Sequence, residues 1–213
     1  PIWAPTLTSA GIKEVNDAYA KMTSINCYRN IDEAVRNKTS YAGTIFLDDT
    51  YASAYFRKGS LAFPPYGILA SSMEHEFIHM YQRDVQGKKV DTDKEKRDTG
   101  MMEFELAFYQ GIIRYIHAGY SWTFKGEDGD PSYQSLWTSG LTDPSLIPQY
   151  EREFQTYVAS ICANGKPTSI DINEFVKWSN IFGEYSRGYS GKGYKFGNYD
   201  YGTSCINSLL KLY

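Results

Sequence analysis

An α+β fold, mainly helical with a small antiparallel sheet, is what this chain predicts, and three observations predict it. Most segments place apolar residues at three- and four-residue spacing, the period of a half-buried helix. Two short stretches near residue 50 switch to aromatic and β-branched residues bounded by turn formers. No internal repeat and no linker-like shift in composition divides the 213 residues, so one domain spanning 1–213 is expected.

The elements follow in order. "TSAGIKEVNDAYAKM" opens on Ser9 as a cap and carries Ile12, Val15, Tyr19 and Met22 on one helical face. "NIDEAVRNK" reads as a second short helix. "GTIFLDD" and "YASAYFRKGSLAF" read as a strand pair across an acidic turn. "PPYG" breaks the pattern, and "ILASSMEHEFIHMYQRD" is helical, ending near "VQG". "KKVDTDKEKRDTG" reads as a charged loop closed by glycine. "MMEFELAFYQGIIRYIHAG" is apolar nearly all round, which marks a buried helix. After a loop at "SWTFKGEDGDPS", helices follow at "SLIPQYEREFQTYVASICA", starting after Pro148, and at "INEFVKWSNIFGEYS". "RGYSGKGYKFGNYDYG" is rich in glycine and tyrosine, a surface loop or a substrate-facing flap, and "INSLLKLY" closes the chain as a short helix.

Composition narrows the function classes. With 42% hydrophobic and 22% charged residues, the chain is ordinary globular protein rather than disordered. A net charge of −3 gives no electrostatic footprint for nucleic acid or an anionic membrane. The longest apolar stretch contains Glu103, Glu105 and Arg114, and is too short and too charged to span a bilayer. The 213 residues hold no signal peptide; they open on Pro1 rather than methionine, which predicts a trimmed start, and an export signal is one segment that could have stood there. Loops rich in tyrosine, asparagine and glycine favour an extracytoplasmic location over the cytosol. The 19 tyrosines and 4 tryptophans fit amphipathic packing or a cleft for extended polymers. Cys27, Cys162 and Cys205 have no metal-like spacing; they fit three thiols or one bridge, for which Cys162–Cys205 is the favoured pair.

Chemistry concentrates in "MEHEFIHMYQ", which holds two of the three histidines. His75 and His79 are four residues apart, so on a helix they lie about 40° apart around the axis and about 6 Å along it. Two imidazoles so placed can share one tetrahedral metal ion. Glu76, about 100° further round, is too far to join them but is well placed to take a proton from water at the ion. Leu69, Met73 and Phe77 form an apolar stripe on roughly the opposite face. The bland alternative is a pair of exposed or merely hydrogen-bonded histidines.

Catalytic zinc holds three protein groups and leaves one position open. His117 lies at the far end of the next helix, and Gln82 and Val85 stand where a longer histidine motif would need glycine and histidine. A carboxylate is left, from Glu103 or Glu105, about 200° apart on their helix. Glu103 shares a face with Ala107, Gln110 and Arg114. Glu105 shares one with Met101, Phe108 and Ile112, where burial is costly without a partner. Residue physics leaves both open.

His75, Glu76 and His79, with a glutamate-bearing helix some two dozen residues on, resemble the HExxH zinc metallopeptidases called zincins, and within them the gluzincin branch. The resemblance covers about 35 residues, Met73 to Phe108, and "HEFIHMYQ" and "MEFEL" also resemble small bacterial HExxH proteins. It implies a zincin-like fold with the active-site helix below an edge strand, one Zn2+ ion, and Glu103 as third ligand. The family's small residue and aspartate three and four positions later are replaced by Leu106 and Ala107, so the aspartate that braces a ligating histidine is missing. Glu74 and Asp98 are the substitutes at hand. The edge strand that aligns an extended substrate would be "YASAYFRKGSLAF".

The expected function is therefore a zinc-dependent peptidase acting on peptide or protein, with His75, His79 and Glu103 as ligands and Glu76 as general base. An oxyanion stabiliser is also required, with Tyr109, Tyr185, Tyr189 and Tyr194 as candidates. Two alternatives stand beside it: a zinc-bearing or degenerate module that binds peptide or glycan, and a helical interaction protein whose motif is accidental. Nothing in the sequence speaks to oligomeric state.

Overall fold

The structure, a computed structural model, describes residues 2–3, 7–38, 44–47, 54–57, 60–64, 70–88, 96–117, 142–163 and 165–213. The expected loop at "SWTFKGEDGDPS" and most of the "PPYG" break lie outside them. The chain is mainly helical and divides into two compact units, Pro1–Lys88 with Leu212, and Lys89–Lys211 with Tyr213.

The first unit runs β1 (Ile2–Trp3), α1 (Ser9–Thr23), α2 (Asn26–Lys38), β2 (Thr44–Leu47), β3 (Tyr55–Arg57), β4 (Ser60–Phe63) and α3 (Ala70–Met80). The cap of α1 is Thr8, not Ser9: Thr8 has extended backbone and its hydroxyl accepts from the Gly11 amide at 3.1 Å, while Ser9 is already helical. α2 begins at Asn26 rather than Asn30, because Cys27, Ile31 and Val35 continue one buried face. α1, α2 and α3 pack together, burying Val15 and Met22, Ile31 and Val35, and Met73 and Phe77. Fully burying side chains of this kind contributes about 1.5–3 kcal/mol each.

The sheet corrects the expected antiparallel pairing. Its strands lie β1-β2-β4-β3, with β1–β2 and β2–β4 parallel and only β3–β4 antiparallel. The sheet is therefore mixed. The physical reason is that "YASAYFRKGSLAF" is a hairpin of two strands rather than one. Two reversals between β2 and β4 restore the chain's direction, so β4 enters beside β2 in parallel register, Ile45 opposite Leu61. β4 is central, with Leu61, Ala62 and Phe63 buried, and β3 is an edge strand against which α3 lies.

The second unit contains α4 (Lys96–His117), α5 (Ile147–Ile161), the two-stranded ribbon β5 (Cys162–Ala163) and β6 (Lys166–Pro167), α6 (Ile172–Tyr185) and α7 (Ser204–Leu210). α4 starts inside the charged segment expected to be a loop, with Asp98 in its first turn, where a carboxylate complements the helix dipole. Pro148 sits within the first turn of α5, where its missing N–H breaks no helical bond, so the helix starts before it. α6 is capped by Asp171, whose carboxylate accepts from the Asn173 amide at 2.8 Å. α4 is the hub, packing on α5, α6 and α7. Phe104 and Phe108 meet Phe154, Phe175 and Phe182 at ring-centroid distances of 5.0 to 5.9 Å, a continuous aromatic core closed by Trp178.

The three cysteines are free: Cys27 and Cys205 are buried and Cys162 is half-buried. The favoured Cys162–Cys205 bridge is absent from the structure. No helix among the described residues is long and apolar enough to cross a membrane.

Candidate metal-binding site

α3 places the motif. Its Met73, Phe77, Ile78 and Met80 face the core of the first unit, with the Phe77 ring 6.2 Å from that of Tyr19, and this burial sets the rotation of the helix. His75 and His79 are left partly exposed on the far side. Their Nε2 atoms approach to 3.1 Å, with ring centroids 4.7 Å apart and ring planes at 80°. Two nitrogens at Zn–N distances of ~2.0–2.1 Å subtending a tetrahedral angle would lie roughly 3.3 Å apart, so the pair fits a tetrahedral ion closely.

The state of His79 follows from its other nitrogen. Nδ1 lies 2.8 Å from the side-chain carbonyl Oε1 of Gln82, which can only accept. Nδ1 therefore carries the proton, and in the neutral ring Nε2 presents a bare lone pair toward His75. Gln82 is itself 0% exposed, so the brace is held by packing. The sequence leaves the bracing group open, with Glu74 and Asp98 as substitutes at hand; on His79 an amide three residues on accepts from the ring, at the position where a longer histidine motif would have glycine. The signal for it in the sequence is an uncharged acceptor at i+3 from a ligand.

The helix changes form where Gln82 sits. Tyr81–Val85 is π-helical, with the Gln86 amide donating to the Tyr81 carbonyl at 3.1 Å. A single π turn widens the helix, is common at functional sites, and changes where the residues after His79 point. Gly87, with φ of 71°, then ends the segment in the left-handed region.

Glu76 is 3% exposed, and its Oε1 lies 3.9 Å from His75 Nε2. That distance is too long for a hydrogen bond. It suits a carboxylate set back from a shared ion, within reach of a water bound there.

In the second unit, α4 carries both candidate third ligands on opposite faces, as their spacing requires. Glu105 is 0% exposed, lies on the face with Met101, Phe108 and Ile112, and accepts from the Tyr201 hydroxyl at 2.9 Å. The partner expected to offset its burial is thus a neutral phenol, and burial foremost, then the Glu105 charge, raises the Tyr201 pKa well above its usual value. Glu103 lies on the other face, half-buried, and accepts from the Tyr189 hydroxyl at 2.6 Å.

Both tyrosines come from the glycine-rich segment after α6, a strap that is closely packed within its unit. The Phe196 ring lies where a side chain on Gly183 would stand, and the Lys195 carbonyl would be 2.7 Å from a Cβ on Gly100. Gly197 has φ of 70°, and its amide donates to Ser179 Oγ at 3.0 Å. Among the other oxyanion candidates, Tyr109 is buried in the core of α4, and Tyr185 faces the Tyr150 ring at 5.9 Å. His117 ends α4 with its ring against Tyr213.

No family model matches the chain, and no curated protein or solved structure matches it.

Proposed function

We propose that the chain is a metal-dependent hydrolase of peptide bonds, with one zinc ion held by His75, His79 and Glu103 and with Glu76 as general base. The observation that carries this is the His75–His79 pair, two ring nitrogens 3.1 Å apart, the second with its tautomer set by Gln82. Each of the three proposed ligands offers one donor atom and is partly shielded from solvent, and two imidazoles with a carboxylate match the donor preference of zinc.

Zinc, when bound, would polarise a scissile carbonyl and lower the pKa of its water toward ~7. Glu76 then takes the proton from the attacking water on a carboxylate oxygen and returns it to the leaving amine. Its burial limits competing solvation, and its 3.9 Å offset from His75 Nε2 keeps it off the ligand set. By accepting from Nδ1–H, Gln82 selects the tautomer whose Nε2 is the donor atom for the ion. A structural zinc site has no use for a buried carboxylate beside its ligands, which favours catalysis over a binding module.

The edge strand β3 beside α3 supports a peptide substrate. Among the described strands, β3 pairs only with β4, so its other edge can add an extended chain through backbone hydrogen bonds, with alternate side chains facing the helix. A zincin-like fold is part of this proposal.

The test is metal content and peptide cleavage of the purified chain. The expected result is one zinc per chain and hydrolysis abolished by a chelator, with Glu76→Gln retaining zinc and losing cleavage by at least about 10²-fold. Zinc without hydrolysis would leave the binding module in its place. Absence of zinc uptake, with the His75–His79 contact explained by an N–H···N hydrogen bond, would overturn the proposal.

A further inference from the structure

We propose that Tyr189 is a positioning residue for Glu103, its phenol holding one carboxylate oxygen so that the other is presented to the metal. The assignment deepens the proposed function and rests on Glu103 being a ligand. A free glutamate on a helix surface can swing its carboxylate or offer both oxygens at once. A hydrogen bond of 2.6 Å from Tyr189 to Oε2 restricts both options, and Oε1 is the oxygen this assignment gives to the metal.

The phenol is itself held in place. The Tyr189 ring packs against Phe182 at 5.1 Å, Tyr194 at 5.4 Å and Phe196 at 6.5 Å. Phe182 belongs to the buried face of α6, and Phe196 lies over Gly183, so both sides of the clamp are tied to one helix. The backbone around Tyr189 is closed as well: its amide and that of Ser190 donate to the Ser186 carbonyl at 3.1 and 2.8 Å, and the Ser190 hydroxyl donates to the Glu184 carbonyl at 2.7 Å. Tyr201 makes the equivalent bond to Glu105, but there the carboxylate is fully buried. Of the two tyrosine–glutamate pairs from the strap, the Tyr189 pair is the one whose glutamate is only half-buried.

The experiment uses the full chain, with zinc affinity measured by chelator competition and the visible spectrum recorded with Co2+ in place of zinc. Tyr189→Phe keeps the ring in its clamp and removes the hydroxyl. The expected result is a 10–100-fold loss of zinc affinity and an altered cobalt spectrum, with unchanged far-ultraviolet circular dichroism. Tyr199→Phe, on an exposed residue of the same strap, should match the wild type. In a Glu103→Ala background Tyr189→Phe should cost nothing further, because the hydroxyl acts through that carboxylate. Equal zinc affinity and an equal cobalt spectrum for wild type and Tyr189→Phe would overturn this assignment alone, as would an undiminished loss in the Glu103→Ala background. A wild-type chain that takes up no zinc would overturn the metal site as a whole.

Discussion

The Nδ1–H of His79 ends on the side-chain carbonyl of Gln82, 2.8 Å away and three residues further along the same helix. A neutral amide thus does for this histidine what a carboxylate does in many zinc sites: it fixes the ring and the tautomer. Because the π turn begins between the two residues, brace and ligand are coupled through backbone geometry as well as through the bond.

Gln82→Leu, close in volume, should leave the fold intact but strand the Nδ1–H, lowering zinc affinity about 10–100-fold. Gln82→Glu should retain or strengthen binding, since a carboxylate is the stronger acceptor. Chelator competition on the two variants checks both directions, and equal affinities for Gln82→Leu and wild type would remove the brace from the account.

Tyr201→Phe should separate the two glutamates of α4. It takes a hydrogen bond from a buried carboxylate, so unfolding in urea should show a loss of about 1–3 kcal/mol. Zinc stoichiometry should not change, because Glu105 faces the interior of its own unit. Loss of metal with preserved stability would reverse the roles of Glu103 and Glu105.

Tyr19 predicts an alkaline limit for the first unit. Burial first, then its hydrogen bond to Asp32 at 2.5 Å, pushes its pKa up from 10.0 to about 12. Below pH 10 the phenol is neutral in both folded and unfolded chains, and its contribution is complete. Between pH 10 and about 12 the unfolded chain ionises first, so stability falls as pH rises. One proton gives a slope of at most ~1.4 kcal/mol per pH unit, and solvent screening at this half-buried site brings it lower. Tyr19→Phe should be less stable at pH 8 and should decline less steeply from pH 10 to 12. Parallel curves in denaturant titrations across that range would contradict the assignment.

Gly183→Ala should dislodge the strap. An added methyl group would land on the Phe196 ring, and overpacking of this kind costs about 1–3 kcal/mol, against the gain that alanine normally brings to a helix. The checkable outcome is a lower thermal midpoint together with easier proteolysis between Arg187 and Lys195.

The helices and the motif were legible because each is a local pattern: a 3.6-residue period, two histidines four apart, a carboxylate between them. The face of Glu105 was readable on the same basis, and its burial matches. What could not be read depends on partners distant in the chain. The parallel pairing of β2 and β4 turns on a hairpin hidden in one aromatic run. The donors to Glu103 and Glu105 come from positions 86 and 96 residues further on, in a segment whose many tyrosines look alike in sequence. Gln82 was visible, but as a departure from another motif, since the π turn that gives it meaning leaves no simple mark.

Those long separations constrain the order in which the molecule matures. Glu105 lies in a helix that ends at His117, yet the phenol that donates to it is 96 residues further along the chain. Until the two meet, the helix carries an ionised group on the side destined for the interior, and water must solvate it. Final closure of the second unit therefore waits until residue 201 is available, and a chain cut after residue 185 should hold its helices without a dry interior.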